Sequence, residues 1–314
     1  MNRISRFLIY TIAAFLLALG AACTEPSRDT AQEDPEKQTI RIAYTDWASS
    51  VASANLIKAV FQEKLGIHCR LVSMNADRMW EAVATGEADA MLSAWLPDTH
   101  AHYMKKFGGR VVDLGANLEG TRTGLVVPDV KIGRLAAGAG ISKSYITIDS
   151  ITEIPANAHK FNYRIIGIEP EAGIMRQTKN AMEAYELDGF ELTRGSESEM
   201  TDALARAIRE QRWIVVTGWI PHWSFARWNL RFLDDPQNVY GGEGRIHTIA
   251  RTGLENEMPE AFRLLDNFRW EPRDVEHLML WIEDDEGRFP YDKALRWMRA
   301  NPEKIDDWIK KNNL

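Results

Sequence analysis

The sequence predicts an α/β protein built as two lobes, and three observations carry that prediction. Strand-like alternation and helix-like periodicity trade places along two separate stretches, the exchange pauses over residues 108–149, and the chain from Pro259 onward reads almost entirely as helix. Ile40, Ile42 and Tyr44 alternate as a strand. Ser49 and Ser50 are candidate N-caps of the helix that follows, which carries Leu56, Ala59 and Val60 and closes at Gly66. Residues 69–72 read as a second strand, a helix holding Met79, Trp80 and Val83 ends at Gly86, and residues 88–93 read as a third strand. Such alternation implies βαβ units and a mostly parallel sheet.

Residues 108–149 are rich in Gly and Val and show no helical period. The alternation then restarts with a strand at 164–168 and a helix with Ile174, Thr178, Ala181, Met182 and Tyr185 on one face. A strand at 190–193, a helix at 198–208 and a strand at 213–217 follow. A polar, turn-rich segment, 234–244, precedes the helical tail. The economical division crosses over near Leu125 and returns near Ile246, so that residues 38–124 plus 247–314 form lobe 1 and residues 125–246 form lobe 2. Two lobes joined by two crossovers can hinge around a ligand held in the cleft.

Residues 1–22 read as an export signal rather than as part of the fold. Arg3 and Arg6 precede an uncharged, mostly apolar run from Phe7 to Leu19, which is shorter than the ~20 residues a membrane-spanning helix needs. Gly20, Ala21 and Ala22 lead directly into Cys23. That arrangement resembles the lipobox of bacterial lipoproteins, whose cysteine is diacylated and becomes the new N-terminus; here Gly20 stands three residues before the cysteine and Leu19 one step further out. An ordinary secretory peptide cleaved nearby is the alternative. Residues 23–37 would then be the lipidated cysteine and a polar, Pro-containing tether that buries little apolar surface.

The formal charge is -7 and no basic run occurs, which argues against nucleic acid as a partner because its binding rests on neutralising phosphates. No Gly-Lys-Ser/Thr phosphate loop, Gly-x-Ser-x-Gly elbow, His-Glu-x-x-His or Cys-x-x-Cys is present. His100 and His102 are the only close histidine pair and lack obvious further metal ligands. The reading is therefore a non-enzyme with no cofactor and no metal.

Tryptophan is the anomaly, with eleven in the chain. Trp47, Trp95 and Trp219 each follow a predicted strand, where open α/β sheets bind ligands. Any one of them alone reads as a core aromatic; three in the same topological position read as a site. Trp80, Trp270, Trp281, Trp297 and Trp308 lie in helical patterns and are assigned to the core, and Trp223 and Trp228 to structural support. Several indole faces suit a quaternary ammonium, which has charge but no N–H to donate; each desolvated contact is worth up to ~2 kcal/mol, so three could supply ~6. Micromolar affinity needs about 8 kcal/mol, so a second anchor is required. The loop from Glu169 to Met175 presents backbone N–H groups at a helix N-terminus, with Gly173 allowing close approach, and His100 is a candidate further donor.

Three long motifs, Ser93-Ala-Trp-Leu-Pro-Asp-Thr-His100, Gly167-Ile-Glu-Pro-Glu-Ala-Gly-Ile-Met175 and Thr217-Gly-Trp-Ile-Pro-His-Trp223, resemble those of glycine betaine-binding proteins of ABC-type osmolyte importers, and Phe232-Leu-Asp-Asp-Pro236 adds a short fourth. The resemblance implies the two-lobed periplasmic-binding-protein fold of class II type, with ligand in the interlobe cleft. It implies an aromatic cage of Trp47, Trp95 and Trp219, and carboxylate contacts from His100 and the Gly173 and Ile174 amides. It further implies an extracytoplasmic, lipid-anchored role in osmoprotective uptake with permease and ATPase subunits as partners. Glycine betaine is the expected ligand and proline betaine a second; choline, carnitine or a sulfonium osmolyte is the alternative. Asp46, beside a cage residue, could favour a hydroxyl-bearing ligand such as choline, or could be a solvated or helix-capping carboxylate.

The anchor is open to a direct test. A Cys23→Ser protein should lose membrane association and either appear soluble outside the cytoplasm or accumulate as precursor; unchanged detergent partitioning would rule out lipidation at this cysteine.

Overall fold

A computed structural model describes residues 39–132 and 143–310. Residues 1–22, Cys23 and the tether to residue 37 lie outside the described residues. The first part of the chain runs β1 (Thr39–Tyr44), α1 (Ala48–Lys64), β2 (His68–Ser73), α2 (Ala76–Thr85), β3 (Ala90–Leu96), α3 (Ala101–Phe107) and β4 (Val111–Pro128). Two short strands, β5 (Lys131–Ile132) and β6 (Lys143–Ser144), pair with each other. The second part runs β7 (Arg164–Ile166), α4 (Gly173–Ala184), β8 (Glu191–Thr193), α5 (Glu197–Glu210), β9 (Val216–Ile220), α6 (Trp223–Arg227) and β10 (Leu230–Phe232). After β11 (Gly244–Arg251) come the tail helices α7 (Leu254–Glu257), α8 (Pro259–Asn267), α9 (Pro272–Glu283), α10 (Pro290–Ala300) and α11 (Pro302–Lys310).

One continuous sheet has the order β2-β1-β3-β11-β4-β9-β7-β8, with β10 paired to β4 off that path. Strand β4 is the common member. Its first residues, up to Thr121, pair with β11, whereas from Arg122 onward they pair with β9 and β10. The sheet is mixed rather than mostly parallel. The β1–β2, β1–β3, β7–β8 and β7–β9 pairs are parallel, as βαβ units require, but β11 and β4 run antiparallel to their neighbours at the centre. Strand β11 escapes a sequence reading because Arg245, His247 and Thr248 blur its alternation. It is inserted between β3 and β4, so its pairing rather than its pattern makes it a strand.

Local differences follow from the same competition. Ser49 and Ser50 lie inside α1, whose N-cap is Trp47, and the Ser50 hydroxyl instead accepts the Thr45 amide at 3.2 Å. Leu65 caps the C-terminus, and Gly66 follows it at φ 65°. Strand β3 continues through Trp95 and Leu96, and β9 contains Trp219, so two of the three predicted site tryptophans end strands rather than follow them. Gly86 closes α2 in the left-handed region as expected, at φ 78°.

The tail returns to the first half of the sheet. Helices α9 and α10 pack on α1, and α8 packs on β11 and β4. Helix α1 is therefore buried on much of its circumference, which its Ala- and Ser-rich sequence permits. The tail also consumes much of the tryptophan surplus: Trp308 meets Phe268 edge-on at 4.8 Å and Trp297 in a stack at 6.2 Å. Trp80, Trp270, Trp297 and Trp308 are buried, and Trp281 is half-buried beneath Arg296.

Asp89, 2% exposed, ties the sheet together at the start of β3. It accepts the Arg41 amide at 2.7 Å, the Arg41 guanidinium at 2.9 and 3.0 Å and the Arg251 guanidinium at 2.7 Å, joining β1 and β11 through one carboxylate. Burial pushes its pKa up, but the hydrogen bonds from Arg41 and Arg251 outweigh that and hold it below the ordinary carboxylate range. The stabilisation is present above that range and lost as pH falls through the depressed value. Asp89→Ala should cost about 2 kcal/mol in urea unfolding at neutral pH, the scale of a lost hydrogen bond to a charged group, because Arg41 keeps the Gly86 carbonyl and Arg251 keeps Glu257; a loss below about 1 kcal/mol would remove this network from the account of stability.

Candidate functional site

All six residues predicted for the site, Trp47, Trp95, His100, Gly173, Ile174 and Trp219, line one cavity, together with Thr99, Thr123, Ile168 and Ala172. Its volume is about 300 Å³ including the mouth. Residues 47, 95, 99 and 100 come from the β1–β3 side of the sheet, and residues 168, 172–174 and 219 from the β7–β9 side. Thr123 comes from the shared strand β4, where it is registered opposite Trp219.

The indoles arrive by different routes. Trp47 occupies the N-cap of α1, at the point where β1 hands over to the helix, and donates its N–H to the Glu169 carboxylate. Trp95 ends β3, and a tight turn returns the chain to it: the His100 amide donates to the Trp95 carbonyl at 2.8 Å and the Trp95 amide to His100 Nδ1 at 3.1 Å. Trp219 is backed edge-on by His222 at 4.9 Å, and His222 stacks on Trp223, which in turn meets Trp228. Trp223 and Trp228 thus pack behind Trp219 without lining the cavity.

His100 is fully buried and its hydrogen bonds define its tautomer. Nδ1 accepts from the Trp95 amide and from Trp80 Nε1–H at 3.3 Å, so the proton resides on Nε2. That Nε2 has no partner among the described residues. A buried donor left unpaired costs ~1–3 kcal/mol, so the position calls for an acceptor in the cavity. Burial, with His102 and Arg176 nearby, pushes the His100 pKa down to about 3, which keeps the ring a neutral donor at physiological pH.

The start of α4 supplies further N–H groups to the cavity wall. The Gly173 and Ile174 amides lie in its first turn, where no helical carbonyl can reach them, and the helix dipole is positive there. Gly173 is required by contact: a Cβ on it would fall 2.4 Å from the Thr99 carbonyl oxygen, so α4 and the loop after β3 meet backbone to backbone. Glu169 and Glu171 do not spoil this positive end. Glu169 turns to Trp47, and neither carboxylate lines the cavity.

Asp46 is exposed, accepts the Ser73 hydroxyl at 2.7 Å and stays outside the cavity. No Asp or Glu lines the cavity among the described residues. Sequence reasoning missed Thr99, Thr123, Ile168 and Ala172 as lining residues and gave Trp80 no part in orienting His100. Thr99, Ile168 and Ala172 stand inside the motifs that pointed to the site; Thr123 and Trp80 carried no local signal.

A curled α/β sheet whose two halves meet at a cavity with aromatic walls and a helix N-terminus is the architecture of a two-lobed substrate-binding protein of class II type, the fold shared by its structural neighbours. Residues 38–300 match the family described as the substrate-binding domain of ABC-type glycine betaine transport systems, and the chain belongs to that family, which is one of transport binding proteins rather than enzymes. It is 45% identical over 151 residues to the glycine betaine/carnitine transport binding protein GbuC of Listeria monocytogenes, a match spanning 48% of this chain and about half (50%) of that protein's length. Lactococcal OpuAC, in its closed-liganded conformation complexed with glycine betaine, is similar with a TM-score of 0.77 and 36% identity, over 87% of this chain and 100% of that one. The glycine/betaine/L-proline-binding protein ProX of Borrelia burgdorferi is similar with a TM-score of 0.80 and 34% identity, over 87% and 97%.

The buried neutral imidazole has a consequence for stability. The unfolded chain takes up a proton on His100 near pH 6.5 and the folded one only near about 3, so folding stability falls as pH drops through that window. The slope from this one group is at most about 1.4 kcal/mol per pH unit. His100→Gln should show a shallower decline between pH 6.5 and 4 in chemical unfolding; an unchanged slope would mean that the ring is charged in the fold.

Proposed function

We propose that this chain is the extracytoplasmic substrate-binding component of an ABC importer and that it captures glycine betaine, with proline betaine as a second ligand, for osmoprotective uptake. The observation that carries the reading is the pairing, in one cavity, of three indoles with the first-turn amides of α4 and a buried His100 Nε2–H that has no partner among the described residues. Trp47, Trp95 and Trp219 would receive the trimethylammonium group through their ring quadrupoles. His100 Nε2–H and the Gly173 and Ile174 amides would receive the carboxylate. In this reading residues 38–124 plus 247–314 act as one lobe and 125–246 as the other, Cys23 carries the lipid that keeps the protein at the outer face of the membrane, and permease and ATPase subunits are its partners.

Carnitine is the second reading, because it too carries both a trimethylammonium group and a carboxylate and appears in the name of the Listeria relative. Choline and sulfonium ligands without a carboxylate would leave the His100 donor and the α4 amides unanswered, and Asp46 is not in the cavity to receive a hydroxyl.

Calorimetry with glycine betaine, carnitine, choline and unmethylated glycine tests this directly. Betaine should bind and glycine should bind weakly or not at all, since an ammonium with N–H groups prefers water and hydrogen-bond acceptors. Trp219→Ala should cost about 2 kcal/mol of betaine binding with the fold intact, and His100→Ala should weaken betaine while hardly affecting any choline binding. Equal affinity for betaine and glycine would sink the cage.

A further inference from the structure

Among the described residues, of the three indoles Trp47 alone has its N–H held by a charged side chain, and that side chain belongs to the opposite half of the sheet. The Glu169 carboxylate, in the loop between β7 and α4, accepts the Trp47 indole N–H across 122 positions of sequence. The adjoining residue is gripped in parallel. The Ala48 amide donates to both oxygens of Glu197, at 3.3 and 3.2 Å, and Glu197 is itself held by His222 Nε2 at 2.9 Å. The backbone at the start of α1 is thus secured by Glu197, and the Glu169 bond is left to determine the orientation of the Trp47 ring. The loop carrying Glu169 also delivers Gly173 and Ile174, so ring and amides are referred to one short segment.

We propose that Glu169 is a positioning residue for ligand capture: from across the cleft it sets the Trp47 ring in the cavity wall, and its negative charge strengthens that ring's attraction for a cation. This rests on the reading of the cavity as a quaternary-ammonium site. A carboxylate accepting from an indole N–H pushes electron density into the ring and places a formal charge one ring away from a bound ammonium, without offering the ammonium an oxygen to bind. The arrangement discriminates against protonated amines, which would need that oxygen.

The charge on Glu169 has a definite pH dependence. Burial raises its pKa above the ordinary glutamate value, the Trp47 bond opposes the rise, and Glu197 and Glu171 add to it. The other titratable groups around it are His222, bonded to Glu197, and His100, neutral down to about pH 3 and 5.9 Å from the Trp47 ring. Affinity therefore falls as pH is lowered through the raised Glu169 value, while His100 does not change state.

The test uses the mature protein, glycine betaine as probe, and Glu169→Gln and Glu169→Leu variants. Glu169→Gln keeps the shape and an acceptor but no charge; it should bind betaine roughly tenfold more weakly at pH 7.5, on the scale of a lost charge-assisted bond. Its affinity should also stay flat as pH is lowered through the raised Glu169 value, where the wild type weakens. Glu169→Leu should lose more. In the ¹⁵N spectrum, the Trp47 indole N–H, assigned through Trp47→Phe, should move with pH in the wild type and not in Glu169→Gln. Wild-type affinity and pH profile in Glu169→Gln, or a pH response abolished by Glu197→Gln instead, would overturn the proposal. If the wild type does not bind betaine, the ligand reading fails, and the Trp47 resonance still decides the role of Glu169.

Discussion

Strand β4 is the constraint on which the rest depends. Eighteen residues at about 3.3 Å each make it long enough to belong to both halves of the sheet, pairing with β11 up to Thr121 and with β9 and β10 beyond it. Because it is shared, the C-terminal ends of β1, β3 and β9 approach one another across a gap instead of pointing into separate solvent. Thr123, just past the change of partner, lines the cavity that results. The tail helices stabilise the same arrangement from behind by returning to α1, β4 and β11.

Within that gap the polar groups are divided. Among the described residues, the wall made of indoles offers negative ring faces and no carboxylate, whereas the start of α4 and His100 Nε2 offer N–H groups. On the proposed reading, a free cation would answer one end and a free anion the other, and a compact zwitterion would answer both. The division is maintained by residues outside the cavity. Trp80 and the Trp95 amide saturate His100 Nδ1 and so leave the proton on Nε2, and His222 backs Trp219 while holding Glu197.

The contact of Gly173 with Thr99 shows how narrow the tolerances are. Backbone meets backbone where α4 approaches the loop after β3, so no side chain larger than hydrogen fits at that helix position. The same approach is what puts amides from one half of the sheet within a single cavity with indoles from the other. Asp89 plays the corresponding part away from the cavity, linking β1 and β11 through a single buried carboxylate.

Local chemistry made much of this legible in the sequence. Alternation in β1, the αL glycine after α2, the surplus of tryptophan and the Trp-x-Pro and Glu-Pro-Glu-Ala-Gly motifs are short-range features, and they located six of the ten residues that line the cavity. What depends on partners distant in sequence was not legible. Strand β11 exists because β3 and β4 flank it, the sheet is mixed because two connecting strands run back through its centre, and Thr123 reaches the cavity only through the register of β4 with β9. The tautomer of His100 rests on Trp80, 20 positions away, and the grip on Trp47 on Glu169, 122 positions away. Residue type determined which groups could serve a cation or an anion; the pairing of distant strands decided which of them face each other, because a hydrogen bond acts over about 3 Å and only the closed chain brings such groups within that range.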